Sequence, residues 1–408
     1  MTTRTDSVQT LTVQAIPGVR LASVAAGIRY RDRDDLLVLA LPEGATTAAT
    51  FTRNAFCAAP VTVAREHLAR AAPRYLLINA GNANAGTGAR GLDDARASCE
   101  ALARLGGCAP EQVLPFSTGV IGEYLPMERL VSHLPVALSA LREDGWDAAS
   151  RAIMTTDTVP KVAMRRFVVD GREASLIGIA KGAGMIRPDM ATMLAFVATD
   201  AAAAAAVLED CLRAAVDRSF NCISIDGDTS TNDACVLSAA GTLGNAPITA
   251  IDDPAFAALS AAVDAVCADL ATAIVRDGEG ATKLVSIEVS GADSESEARA
   301  VADTIAHSPL VKTALFAADP NWGRILAAIG RAGVAELDIN RVSISLDDCL
   351  IVSGGGRDPS YEESAGRRVM EQDGFSIRVA MGRGESQARL LTCDLSYDYV
   401  RINAEYRS

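Results

Sequence analysis

The dipeptide Ala191-Thr192 stands between a glycine-rich stretch, Lys181-Gly182-Ala183-Gly184-Met185-Ile186-Arg187-Pro188-Asp189-Met190, and an apolar run over 193–199. Two readings fit these residues. A threonine opens many strands, because its β-branched side chain suits extended backbone. The other reading is chemical: the Thr192 hydroxyl attacks the preceding carbonyl, the peptide shifts to an ester, and water releases a chain that begins at Thr192. Its new α-amine, with an ordinary pKa of about 7.7–8.0, then serves as base for its own Oγ. That route needs no histidine, and the chain holds only three, His67, His133 and His307, far apart in sequence.

Other chemistries lack their residues. The run Asp226-Gly227-Asp228-Thr229-Ser230-Thr231-Asn232-Asp233 opens like a calcium loop. It has Thr231 where that loop turns on glycine and Leu237 where it needs a bidentate glutamate. No G-K-[ST] follows Gly182 and Gly184, Gly382-Arg383-Gly384 lacks the third glycine of a dinucleotide site, and no G-x-S-x-G elbow occurs. A Ser-His-Asp triad leaves no spacing signal and stays open. The expectation is an enzyme with no metal and no resident cofactor.

Positioning Thr192 falls to a mixed α/β framework. The runs 36–41 and 75–80 read as buried strands, and 91–105 and 127–154 carry helical spacing. Strands over 161–169 and 173–180 flank Asp170-Gly171, a hairpin turn that needs positive φ. Asp200 is expected to cap a helix toward Val216, a strand over 220–225 leads into the acidic run, and 254–275 reads as a long buried helix. The turn-rich segment 276–280 suggests the main junction, dividing a larger α/β domain, 1–280, from a smaller one, 281–408. Beyond it a strand over 283–290 and a helix opened by the Ser294…Glu297 box are expected.

The 408 residues are 49% hydrophobic and 22% charged, which suits packed globular domains. The net charge of −13, with no basic cluster, argues against a nucleic-acid partner. No run of 18 apolar residues and no apolar signal core occur, so no membrane association is expected. Nine scattered cysteines without C-x-x-C spacing suit reduced thiols. A cytoplasmic location is the expectation.

The segment Lys181 to Leu194 closely resembles the self-processing segment of the ornithine acetyltransferase family, the glutamate N-acetyltransferases of arginine biosynthesis. The resemblance extends through Asn79-Ala80-Gly81-Asn82-Ala83-Asn84-Ala85, Ser117-Thr118-Gly119-Val120-Ile121-Gly122-Glu123, Thr155-Thr156-Asp157-Thr158 and the acidic run. Asp319-Pro320-Asn321-Trp322-Gly323-Arg324 and the C-terminal block from Cys393 to Asn403 continue it, in order, along nearly the whole chain. Gly86 stands where many relatives carry Cys, and Asp189 where many carry Asn.

The resemblance implies two interlocked α/β domains of the ornithine acetyltransferase type. It implies self-cleavage between Ala191 and Thr192 into an α chain, 1–191, and a β chain, 192–408, assembled as a heterotetramer of two α and two β. It makes Thr192 the nucleophile, Thr118 and Gly119 the oxyanion hole, and Thr158, Lys181, Thr192, Glu279, Asn403 and Ser408 the substrate contacts. The implied reaction moves the acetyl group of N2-acetylornithine to glutamate by ping-pong through acetyl-Thr192, releasing ornithine and N-acetylglutamate. Acetyl-CoA as a second donor stays open. So do two alternatives: a self-cleaving amide hydrolase of related fold, and a secondary-metabolism acyltransferase with another acceptor.

Overall fold

The computed structural model describes residues 15–187 and 193–406; Asp189, Ala191, Thr192 and Ser408 lie outside the described residues. The first sheet is hydrogen-bonded in the order β1 (Arg20–Val24), β2 (Leu36–Ala40), β4 (Tyr75–Asn82) and β5 (Val113–Val120). The second runs β3 (Thr46–Phe51), β10 (Ala234–Ala239), β8 (Leu194–Thr199), β7 (Arg172–Lys181) and β6 (Lys161–Val169).

These sheets pack face to face, and helices cover both outer faces. Period-two alternation assigns each side chain. Leu37, Leu39, Leu76 and Ile78 meet Ile177, Ile179, Leu194 and Phe196 between the sheets. Leu36, Val38 and Leu77 turn the other way, toward Leu102 and Ala103 of helix Gly88–Gly106. Leu176 and Val197 face helices Ala205–Arg218 and Pro254–Arg276. Phe116 and Phe196 lock the middle layer edge to face, centroids 5.1 Å apart. With both faces buried, these strands read in sequence as unbroken apolar runs rather than alternating ones. Helix Pro254–Arg276 is long and apolar enough to cross a membrane, yet half of it is buried here. Gly178 of β7 lets it approach, since a Cβ there would lie 2.7 Å from Val266.

The third sheet runs β14 (Gly356–Arg357), β13 (Cys349–Ser353), β12 (Ser343–Leu346), β15 (Gly374–Ala380), β11 (Leu284–Ala292), β16 (Ser386–Cys393) and β9 (Ile223–Ser224). It has its own core, with Ile287, Val289, Ile344 and Ile377 against Val301 and Ile305 of helix Glu295–Ala306. The chain crosses the expected junction twice. β9 supplies an edge strand from upstream, and helix Tyr397–Ala404 returns to the first part of the molecule.

The Asp170-Gly171 turn forms with φ of 51° and 73°, both positive as that hairpin requires. Asp253 caps helix Pro254–Arg276 and Ser294 caps helix Glu295–Ala306 through side-chain oxygens. Three expectations need correction. The helical pattern over 127–154 is two helices, Met127–Ser139 and Trp146–Ala152, broken where Arg142, Glu143 and Asp144 are exposed and Gly145 follows. Asp200 caps nothing: its carboxylate accepts the Ser175 N–H, and the helix starts at Ala205. The expected strand 220–225 is a 3₁₀ turn, Phe220–Cys222, followed by the two-residue β9.

Candidate active site

Parallel β4 and β5 end side by side, with Ala80 opposite Thr118 and Gly81 opposite Gly119. Gly119 has φ of +132°, and a Cβ there would fall 2.2 Å from the Gly81 carbonyl carbon, so only glycine permits this approach. Asn232, from the acidic run, holds the two strand ends together. Its Nδ2 donates to the Ala83 carbonyl at 2.7 Å and to the Ser117 carbonyl at 2.9 Å. The Thr231 hydroxyl donates to its Oδ1 at 2.6 Å, which fixes the amide's orientation. Thr118 and Gly119 are thereby presented to an adjoining cavity of about 250 Å³.

The opposite wall hangs from a buried charge cluster. Lys161 Nζ donates to Asp157 Oδ1 at 2.7 Å and to Asp277 Oδ2 at 2.6 Å, with all three side chains almost inaccessible. Asp157 also accepts the Gly182 N–H at 2.7 Å and the Thr155 N–H at 3.0 Å. Asp277 accepts the Thr158 N–H and hydroxyl and the Val159 N–H. One ammonium therefore ties the turn carrying Thr155 and Thr156, the end of β7 and the turn carrying Glu279. Burial works against the Asp157 carboxylate, but Lys181 and Lys161 beside it prevail and hold it at about 2.

Lys181, the last residue of β7, lines the cavity 3.9 Å from Asp157 Oδ2. Burial, aided by repulsion from Lys161, lowers its ammonium below the ordinary range, against the pull of Asp157, Glu279 and Asp233. Glu279 enters the same cavity, its N–H bonded to the Ala183 carbonyl at 2.7 Å. A Cβ on Gly184 would lie 2.5 Å from the Glu279 carboxyl group, so a side chain there would push that carboxyl from its present place. Asn403, on helix Tyr397–Ala404, donates to Glu279 Oε2 at 2.7 Å. The helix docks where Gly280, at positive φ, leaves no side chain against the Tyr399 N–H, and Ser396 Oγ donates to the Gly280 carbonyl.

Five residues anticipated from sequence, Thr118, Gly119, Lys181, Glu279 and Asn403, thus line one cavity. Thr158 does not: its hydroxyl goes to Asp277 behind the wall, and Thr155 and Thr156 face the cavity in its place. Ala191, Thr192 and Ser408 lie outside the described residues, but the chain on either side of 188–192 is described. Gly184 and Met185 line the cavity. Asp226 accepts the Met185 N–H at 2.6 Å and the Ile186 N–H at 2.9 Å. On the far side, buried Asp233 accepts the Met193 N–H at 3.0 Å, and burial raises its carboxyl well above the usual range.

The acidic run is therefore a clamp for backbone rather than a calcium loop. Among the described residues no group of three or more His, Cys, Asp or Glu side chains is placed to hold a metal. The roles of Asn232, Lys161, Asp277 and Tyr406, which also lines the cavity, escaped sequence reasoning. Chemically, the cavity offers a cation at Lys181 and an anion at Glu279, complementary to an amino acid bearing a second ammonium group. Hydroxyl and amide groups at Thr118 and Gly119 face them.

The sequence model of the ArgJ family matches residues 20–408. The arginine biosynthesis bifunctional protein ArgJ of Methylococcus capsulatus is 62% identical over 393 residues, covering 96% of each chain. Among solved structures, the arginine biosynthesis bifunctional protein argJ of Bacillus halodurans is 40% identical with a TM-score of 0.49, covering 52% of this chain and 98% of its own. The ornithine acetyltransferase of Mycobacterium tuberculosis, complexed with ornithine, is 34% identical with a TM-score of 0.37, covering 43% of this chain and 93% of its own.

Proposed function

The chain belongs to the ArgJ family, and from that premise we propose that it transfers acetyl groups between ornithine and glutamate in arginine biosynthesis through an acetyl-Thr192 intermediate. Self-cleavage comes first. Thr192 Oγ attacks the Ala191 carbonyl, the C–N bond breaks to give an ester, and water hydrolyses it, leaving a free Thr192 amine. In turnover that amine accepts the Oγ proton as Oγ attacks the acetyl carbonyl of N2-acetylornithine. The Thr118 hydroxyl and Gly119 N–H stabilise the oxyanion; one such donor is typically worth about 2.7–4 kcal/mol. Collapse expels ornithine, whose α-nitrogen takes the proton, and the α-amine of glutamate then attacks the acetyl ester. Each half exchanges an amide and an ester, so neither ATP nor a metal is required.

The observation that carries this reading is convergence. Thr118, Gly119, Lys181, Glu279 and Asn403, scattered over more than half the sequence, share one cavity with Gly184 and Met185 of the scissile loop. In that cavity Lys181 is suited to the α-carboxylate of the donor and Glu279 to its δ-ammonium. Because the 62% identical relative is named bifunctional, the proposal extends to acetyl-CoA as a second donor. It extends also to a cytoplasmic heterotetramer of two α and two β chains, which a native mass would test.

Denaturing intact-mass spectrometry tests the core of the reading. The expected result is two chains dividing at Ala191/Thr192, the β chain gaining one acetyl on incubation with N2-acetylornithine and losing it to glutamate. A single uncut chain from folded protein would overturn the mechanism. Loss of the label to water with glutamate present would instead make the protein an amide hydrolase.

A further inference from the structure

A ping-pong transferase of this kind must seat two amino acids in turn, with their α-nitrogens at the same acetyl group and side chains ending in opposite charges. Glu279 is suited to the ammonium of the donor and repels the side-chain carboxylate of the acceptor. The structure holds a second cavity, also of about 250 Å³, that shares Val120, Thr156 and Tyr406 with the first. Its other wall carries Arg29 and Tyr30. We propose that the two cavities form one forked site in which Arg29 receives the side-chain carboxylate of the acidic acceptor, while Glu279 receives the ammonium of the basic donor.

Three observations carry this. Tyr406 stands at the fork: burial, Tyr30 and Glu279 raise its phenol, and Arg29 opposes them, so the two opposite charges act on one ring. The Arg29 loop is built rather than loose. Asp35, fully buried, accepts the N–H groups of Ala26 at 2.9 Å, Arg29 at 3.2 Å and Tyr30 at 3.4 Å. The Arg33 guanidinium, 3.6 Å from the centre of the Tyr30 ring, stacks on it. Finally, the guanidinium is only lightly engaged. Among the described residues its acidic partner is Glu123 at 3.5 Å, with the two side chains 30% and 55% exposed. Such a pair is weak and exchangeable. An arginine so placed offers a carboxylate two parallel hydrogen bonds on arrival.

This inference rests on the acetyl-Thr192 reading, and the test separates the two. In Arg29→Gln, the KM for glutamate should rise at least about tenfold with kcat little changed. Acetylation of the β chain by N2-acetylornithine should keep its wild-type rate. Selectivity for glutamate over glutamine should fall, and Arg29→Lys should recover part of it. Glu123→Gln should move the opposite way, lowering the KM for glutamate by releasing the guanidinium. An unchanged KM for glutamate in Arg29→Gln, or equal slowing of both half-reactions, would overturn the assignment of Arg29 alone. A wild-type β chain that takes no acetyl from N2-acetylornithine would overturn the underlying reading and this inference with it.

Discussion

Lys161 and Lys181 lie on neighbouring strands, Lys161 opposite Ala180 in the β6–β7 register, and both are buried, at 2% and 4% exposure. Their surroundings are opposite in kind. Lys161 makes ion pairs at 2.7 and 2.6 Å to two carboxylates that accept backbone N–H groups with their remaining capacity. Lys181 stands 3.9 Å from an oxygen of Asp157 that already accepts the Thr155 N–H, and it borders open space. Burial therefore does not separate structural charges from functional ones; completeness of pairing does. The closed cluster ties segments of the fold together, and the less completely paired ammonium borders the cavity, as its proposed contact with a carboxylate requires.

The largest effect expected from this contrast is on folding. Lys161→Met leaves the Asp157 and Asp277 carboxylates buried without their shared cation, a kind of loss that costs about 3–5 kcal/mol. Urea unfolding should show it as a lower midpoint. Activity should fall with the folded fraction and also within it, because three cavity-bearing segments hang from that ammonium. A midpoint within experimental error of wild type would show the cluster to be replaceable.

The same contrast marks where sequence reasoning reached and where it stopped. Local signals were legible: the Asp170-Gly171 turn, the Ser294 cap and the buried strands over 36–41 and 75–80 depend on neighbours in the chain. The residues facing the cavity were legible through resemblance, since Thr118, Lys181 and Glu279 sit in distinctive blocks. The layer behind them was not. Asp277 meets Thr158 across 119 positions and Asn232 meets Ser117 across 115, and no periodicity encodes such pairings. Thr158 was misplaced for that reason. It stands in the same short block as Thr155 and Thr156, and only the fold determines which of the three hydroxyls faces the ligand.

Lys181→Met should leave stability within about 1 kcal/mol, because Asp157 keeps Lys161 and the Gly182 N–H. It should raise the KM for N2-acetylornithine by more than about tenfold, or about 1.4 kcal/mol. The two sites should also diverge with pH. Lys181 titrates below the ordinary lysine range, chiefly through burial. In the wild type the KM should therefore climb on the alkaline side before an ordinary lysine would deprotonate, and Lys181→Met should flatten that limb. For stability the two slopes share a sign and differ in their pH window. Between its folded and unfolded pKa values Lys181 binds more protons in the unfolded chain, so its contribution makes stability rise with pH. Asp157, held at about 2, stabilises the fold fully above the unfolded carboxylate range and loses that contribution as pH falls toward its folded value. An alkaline limb that survives in Lys181→Met would assign the titration to another group.

The smallest effect expected is also the sharpest test of the boundary between the two layers. If Thr158 touched substrate, Thr158→Val would raise the KM much as a change at the cavity wall does. Its hydroxyl instead serves Asp277, which keeps the Thr158 and Val159 N–H groups and Lys161 after the substitution. Losing one of several donors to a buried carboxylate should cost only about 0.5–1 kcal/mol of stability, with little change in KM. Thr156→Val, on the wall itself, should do the reverse: little loss of stability and a clear rise in KM. The pair of variants reads position rather than chemistry, since each removes one hydroxyl from the same four-residue block. If Thr158→Val raised the KM and Thr156→Val did not, the cavity wall would be drawn one turn too far forward, and the closed cluster would have to be counted as part of the site.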